Sequence, residues 1–108
     1  MDAMVFKKED HTLSNADTAT AMEALIEPLS DDEIEKLTIE AIRDYRSALD
    51  QAECAHNAWL ASREKAAPAT VHALHGEYVR QMLAHSAKQF LVATLIERLG
   101  YVPVVPVD

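Results

Sequence analysis

Glycine, proline and cysteine are scarce in this chain of 108 residues. Two glycines and four prolines supply too few turns for a β-sandwich or barrel, and two glycines also exclude a glycine-rich phosphate loop. Ala, Leu and Glu are plentiful, which favours helices. The lone cysteine, Cys54, excludes an intrachain disulfide and a cysteine-rich zinc site, and it fits a reducing, cytoplasmic location. The composition therefore predicts an all-α protein.

Basic clusters and long apolar runs are also missing. Eighteen acidic residues against ten Lys and Arg give a formal net charge of −8. This charge argues against direct binding of nucleic acid, because phosphate contacts need clustered cations, and it favours a basic partner instead. No apolar run approaches the roughly 18 residues of a membrane helix, and the first residues lack a signal-peptide core, so we expect no membrane partner.

Two segments have the apolar period of a long helix. The first begins at a capping box, Ser30-Asp31-Asp32-Glu33, in which the serine hydroxyl and the glutamate carboxylate each accept a backbone N–H. Pro68 breaks the pattern, because the residue before a proline is forced out of helical geometry. The second segment stops at Gly100, a good left-handed cap. The sequence thus predicts two long antiparallel helices per chain, a helical hairpin.

The segments on either side of the two helices have different characters. Residues 1–29 mix polar and charged residues around one modest helical stretch, 16–26, and we predict a partly flexible N-terminal arm there. The predicted hairpin domain covers residues 30–108 and includes an apolar C-terminal tail. Pro103 and Pro106 lack the backbone donor of a central strand, so this tail should lie extended over the helix ends.

The apolar stripes of the two helices define a candidate core and dimer contact. Its predicted members are Ile34, Ala41, Ile42, Tyr45, Ala48, Leu49, Ala52, Trp59, Leu74, Tyr78, Met82, Phe90, Val92, Leu95, Ile96 and Leu99. From Phe90 to Ile96 the chain is apolar nearly all round, which one partner helix cannot cover. We therefore expect two hairpins to pair as a homodimeric four-helix bundle.

Few residues have a spacing suited to chemistry. Glu53 and His56 match the Glu-x-x-His pattern of di-iron bundles, but no second such pair exists. No carboxylate or nucleophile at recognisable spacing orients His72, His75 or His85. We predict no enzyme activity, cofactor or metal, and a metal-binding bundle stays an alternative that metal analysis would reveal.

Ile39 lies well off the apolar stripe of the first helix, with Arg43 and Arg46 on the same side. An exposed isoleucine flanked by charge is typical of an interface anchor, and the arginines could pair with carboxylates of a partner. Alternatively, Ile39 packs under the N-terminal arm while the arginines form surface pairs with Glu35, Glu40 or Asp50.

Residues 37–46 (LTIEAIRDYR) and 93–103 (ATLIERLGYVP) together resemble TraM, the quorum-sensing antiactivator of conjugative plasmids. The resemblance runs from about Asp32 to the C-terminus and leaves out the arm and the inter-helix loop. Tyr78 falls where the family has a tyrosine in its second helix, which adds it to the predicted partner contacts.

The resemblance implies a homodimer of helical hairpins that needs no cofactor. It also implies binding to TraR, a LuxR-type transcriptional activator, at its C-terminal DNA-binding domain, so that DNA binding is lost and plasmid transfer genes are repressed. The alternative is a generic helical-bundle adaptor or an antitoxin-like interaction module with an unrelated partner.

Overall fold

The computed structural model describes residues 15–107, and this part of the chain forms three helices followed by an extended tail. The helices are α1 (Asn15–Ile26), α2 (Asp31–Ser62) and α3 (Pro68–Leu99). The two longer helices have 32 residues each and pack against each other, which makes a hairpin about 48 Å long. The all-α prediction is confirmed, and beside the two long helices the structure has a third, α1, where the sequence indicated a modest helical stretch at residues 16–26.

α1 lies inside the predicted N-terminal arm. Ala19, Met22 and Ile26 recur at steps of three and four residues and are half-buried, so one side of α1 faces the hairpin, where it contacts α3. Docking of this apolar row explains why residues 15–26 form a helix. Residues 1–14, the rest of that predicted arm, lie outside the described residues.

Local sequence signals set the ends of α2 and α3. The Ser30 hydroxyl accepts the Glu33 N–H at 3.2 Å, and the Glu33 carboxylate accepts the Ser30 N–H at 2.9 Å, which completes the predicted capping box. α3 begins at Pro68, whose missing N–H would have no partner at that position. It ends at Gly100, which has a φ of 94° and donates its N–H to the Ile96 carbonyl at 2.8 Å.

The core of the single hairpin is small. Six of the predicted core residues are buried, namely Ile34, Ala41, Ile42, Ala48, Ala52 and Leu95. Three of these six are alanines, so the helices approach closely where they cross. Thr38 is also fully buried, and its hydroxyl donates to the Ile34 carbonyl at 2.7 Å, so the hydroxyl is not left unpaired.

The remaining predicted core residues are more exposed than expected. Half-buried are Tyr45, Trp59, Leu74, Tyr78, Met82, Val92, Ile96 and Leu99. Leu49 and Phe90 are each 37% exposed, and Leu49 borders a groove between α2 and α3 that Tyr78 and Met82 also line. They are not core residues of the single hairpin, and their burial would require a second chain.

The described structure is one helix layer thick. The Cα trace spans 53 × 49 × 13 Å, whereas a stable domain normally buries its apolar faces between two layers. On α3, Val79, Leu83 and Phe90 recur at steps of four and seven residues on the side that faces away from α2, and Leu83 is 66% exposed. We call these three residues the outer stripe.

Candidate protein-interaction surface

The tail, residues 101–107, runs along the first half of α2. The Tyr101 hydroxyl donates to the Glu35 carboxylate at 3.2 Å, and the Arg43 guanidinium donates to the Pro106 carbonyl at 3.2 Å. Glu35, Ile39 and Arg43 are spaced four residues apart and therefore share one side of the helix. The tail thus follows the row of α2 that contains Ile39, as an extended segment over the helix, in agreement with its predicted conformation.

Ile39 is half-buried and lines a shallow groove of about 410 Å³ together with Lys36, Glu40, Arg43 and Asp44. The sequence suggested the N-terminal arm as the segment of the chain that could pack on this isoleucine. The path of the tail gives it an intramolecular neighbour on the same side of α2. Its role as an anchor for a partner stays a prediction.

Arg43 and Arg46 are both exposed and both lie beside the tail. Arg43 holds Pro106, as described, while Arg46 lines a second groove with Asp50 and residues 105–107. The arginines therefore form one surface with the tail. The apolar, proline-containing composition of residues 101–107 indicated that the tail docks on the helices. It did not indicate that the tail docks beside Arg43 and Arg46.

Tyr78 lies elsewhere, in an aromatic cluster nearer the loop that joins α2 to α3. Its ring is stacked with Trp59 at a centroid distance of 5.8 Å and packs against His56 at 4.9 Å. His56 is about 20 Å along α2 from Arg43, at 1.5 Å per residue. The structure therefore brings Ile39, Arg43 and Arg46 together but places Tyr78 apart from them.

Three histidines, one of them the histidine of the Glu-x-x-His pair, pack against aromatic rings between α2 and α3. His56 contacts Tyr78, His75 lies 4.6 Å from the Trp59 ring, and His85 stacks on Tyr45 at 4.7 Å. Among the described residues, no three His, Cys, Asp or Glu side chains are grouped in a way that could hold a metal ion. Across residues 15–107, no helix is both long enough and apolar enough to span a membrane.

Acidic side chains dominate the end of the hairpin where α2 begins and α3 ends, which we call the base. Partial shielding from water, the hydrogen bond to Glu35 and the charges of Glu35, Asp31 and Asp32 raise the pKa of Tyr101 above its ordinary value. Arg98 counters part of this charge, since it lies 3.6 Å from Asp31. The base thus combines an apolar tail with a negative electrostatic environment.

A comparison with known families gives a match over most of the chain. The model of a family described as the prokaryotic transcriptional repressor TraM matches residues 6–104. No solved structure gives a significant match to the chain.

Proposed function

This chain belongs to the TraM family of prokaryotic transcriptional repressors, and from this membership we propose that it is an antiactivator of quorum sensing. Its partner is a TraR-like, LuxR-type activator, which it binds at the DNA-binding domain. The activator then dissociates from its operator DNA, and the conjugative transfer genes of the plasmid are not transcribed. Because the activator works on DNA, the place of action is the cytoplasm.

The acidic base is the observation that supports this assignment most. Any domain that binds DNA carries Lys and Arg for the phosphates, so its surface is basic. A hairpin base rich in carboxylates attracts such a surface and competes with DNA for it. The chain's own charge of −8 makes it a poor DNA binder, so repression acts through the activator and not through the operator.

The proposal includes a homodimer. A structure one helix layer thick leaves Leu49 and the outer stripe in water, although such side chains contribute about 1.5–3 kcal/mol each when fully buried. A second hairpin laid against the first would supply the missing layer and form a four-helix bundle. The base remains available to the activator in this arrangement, because Ile39, Arg46 and the tail lie on a different side of α2 from the core contacts.

A DNA-release experiment tests the function. The activator, loaded with its acyl-homoserine lactone, is bound to a fluorescent operator, and the purified protein is titrated in while anisotropy is recorded. We expect anisotropy to fall to the value of free DNA. If the wild-type protein releases no DNA and binds no activator, the antiactivator assignment is wrong.

Ile39→Asp tests whether the predicted anchor belongs to the contact. Loss of an interface anchor costs about 2 kcal/mol or more of binding, so a higher dose of the variant should be needed for release. Ala61→Asp, which adds the same charge at an exposed position of α2 near the inter-helix loop, is the control. Equal doses for Ile39→Asp and wild type would show that Ile39 is not a contact.

A further inference from the structure

Exposed apolar side chains are concentrated in the tail. Val104 is 86% exposed and Val102 is 66% exposed, while Pro103 between them is buried. In an extended segment, successive side chains point in opposite directions, so a buried proline presents both neighbouring valines to solvent. The tail therefore holds two valines outward in a fixed arrangement on the surface of the protein.

Contacts within the chain itself fasten the tail to α2 at two points. Tyr101 is bonded to Glu35 at its start and Pro106 is bonded to Arg43 near its end, and two prolines restrict the backbone between and beside these points. A segment that is already ordered loses little conformational entropy on binding. This order favours a role of the valines in recognition.

Carboxylates outnumber cations along the tail. The half of α2 beside which the tail runs carries Asp31, Asp32, Glu33, Glu35, Glu40 and Asp44 against Lys36, Arg43 and Arg46. An apolar centre within a charged rim is the usual anatomy of a protein–protein interface, and an acidic rim complements a basic partner. The charge on the base therefore identifies the chemistry of the occupant.

We propose that the tail and the adjoining side of α2 form one interaction surface, in which Val102 and Val104 are the apolar contacts and a basic DNA-binding domain is the occupant. This inference rests on the proposed function and assigns the surface that performs it. Arg43 is then a positioning residue that holds the tail, and it is not a partner for carboxylates of the activator.

The first test compares Val104→Lys with Val104→Asp in the full chain, with the dissociation constant for the activator measured by anisotropy. Both variants lose the apolar contact, and lysine also brings a positive charge towards a basic surface. We expect Val104→Lys to weaken binding about tenfold or more, and Val104→Asp to weaken it less. Leu25→Lys and Leu25→Asp are the matched controls, because Leu25 is 75% exposed but lies on α1.

The second test is Arg43→Met, which removes the donor that holds Pro106 and makes the chain more negative. Electrostatic attraction alone predicts tighter binding of a basic partner by this variant, whereas loss of the tail position predicts weaker binding. We expect weaker binding, with helix content by circular dichroism unchanged.

Several results would overturn the inference. These are wild-type affinity in both Val104 variants, a greater loss in Val104→Asp than in Val104→Lys, or unchanged or tighter binding by Arg43→Met. A chain ending at Gly100 that binds more tightly than wild type would mean that the tail is a cover over Ile39 and not a contact. Failure of the wild-type protein to bind the activator is a separate result, which rejects the proposed function and the surface with it.

Discussion

The guanidinium of Arg43 and the carbonyl oxygen of Pro106 are joined by a hydrogen bond of 3.2 Å, although 63 residues separate them in the chain. The bond fixes the tail to α2. It joins Arg43, in the family-like segment 37–46, to Pro106, which follows the family-like segment 93–103. Because the bond is exposed, its net contribution to stability is small, of the order of 1 kcal/mol or less. The tail is therefore held in place but weakly.

The two glycines predict opposite effects of substitution by alanine. Gly76 lies inside α3, where a Cβ would be 3.7 Å from the Arg80 guanidinium, an ordinary contact, so Gly76→Ala should raise the free energy of unfolding by about 0.5–1 kcal/mol. Gly100 has a φ of 94°, which disfavours any residue with a Cβ, so Gly100→Ala should lower the free energy of unfolding by about 1 kcal/mol. Urea denaturation followed by circular dichroism measures both, and shifts of the same sign would contradict this account.

A larger side chain at a buried alanine should separate α2 from α3. Ala48 is 4% exposed, so Ala48→Leu should lower the free energy of unfolding by about 1–3 kcal/mol through overpacking. Ala58→Leu, at an exposed position of the same helix, should change it by no more than about 0.5 kcal/mol. The protein concentration is held equal in these urea titrations, because a dimer's stability depends on it. Similar values for the two variants would show that the helices do not pack closely at Ala48.

Leu49→Glu tests the proposed homodimer. The single hairpin leaves Leu49 37% exposed, so a glutamate there is solvated in a monomer, whereas burial of its charge in a dimer would cost several kcal/mol. We expect a helical monomer by light scattering at micromolar concentration, where the wild type is a dimer. Gln51→Glu adds the same charge two residues further on, at an exposed position on the opposite side of α2, and should stay dimeric. A monomeric wild type would rule the dimer out.

Tyr101 should titrate at higher pH than an ordinary tyrosine. Its pKa is raised above the ordinary value of 10.0, first by shielding from water and then by Glu35, so the neutral form is favoured in the folded protein. The stabilisation is therefore fully present below pH 10.0 and is lost as pH rises through the raised pKa. Ultraviolet titration of tyrosinate, with Tyr101→Phe subtracted, measures this group. Glu35→Gln should lower the pKa of Tyr101 only part of the way towards its ordinary value of 10.0. A Tyr101 pKa at or below that value would contradict the contact between Tyr101 and Glu35.

The sequence was most informative where structure depends on neighbouring residues. Ser30, Pro68 and Gly100 act within one helical turn, and each predicted boundary is found in the structure. The docking of α1 was missed because its apolar row is short and its partner, the far end of α3, is distant in sequence. For the same reason the tail was predicted to be extended, but its path beside Ile39 was not.

The candidate interaction surface was also predictable only where it depends on residues that are close in sequence. Ile39, Arg43 and Arg46 lie along one part of α2, as their spacing in the sequence predicts. Tyr78 could not be separated from them by sequence, since its position depends on stacking with Trp59 across the hairpin. The exposure of Leu49 and Phe90 depends on how much of each stripe a single neighbouring helix covers, which periodicity does not specify.

The short connection between α2 and α3, residues 63–67, also sets the order in which the protein assembles. Closing so small a loop costs little entropy, so pairing of the helices is expected to start beside it and to proceed towards the base. The bond between Tyr101 and Glu35 spans 66 residues, so we expect it to form late. By the same logic the base opens first in the folded protein, and its amide hydrogens should exchange faster than those near Trp59. The segment that we assign to recognition is thus the one whose opening costs the least free energy.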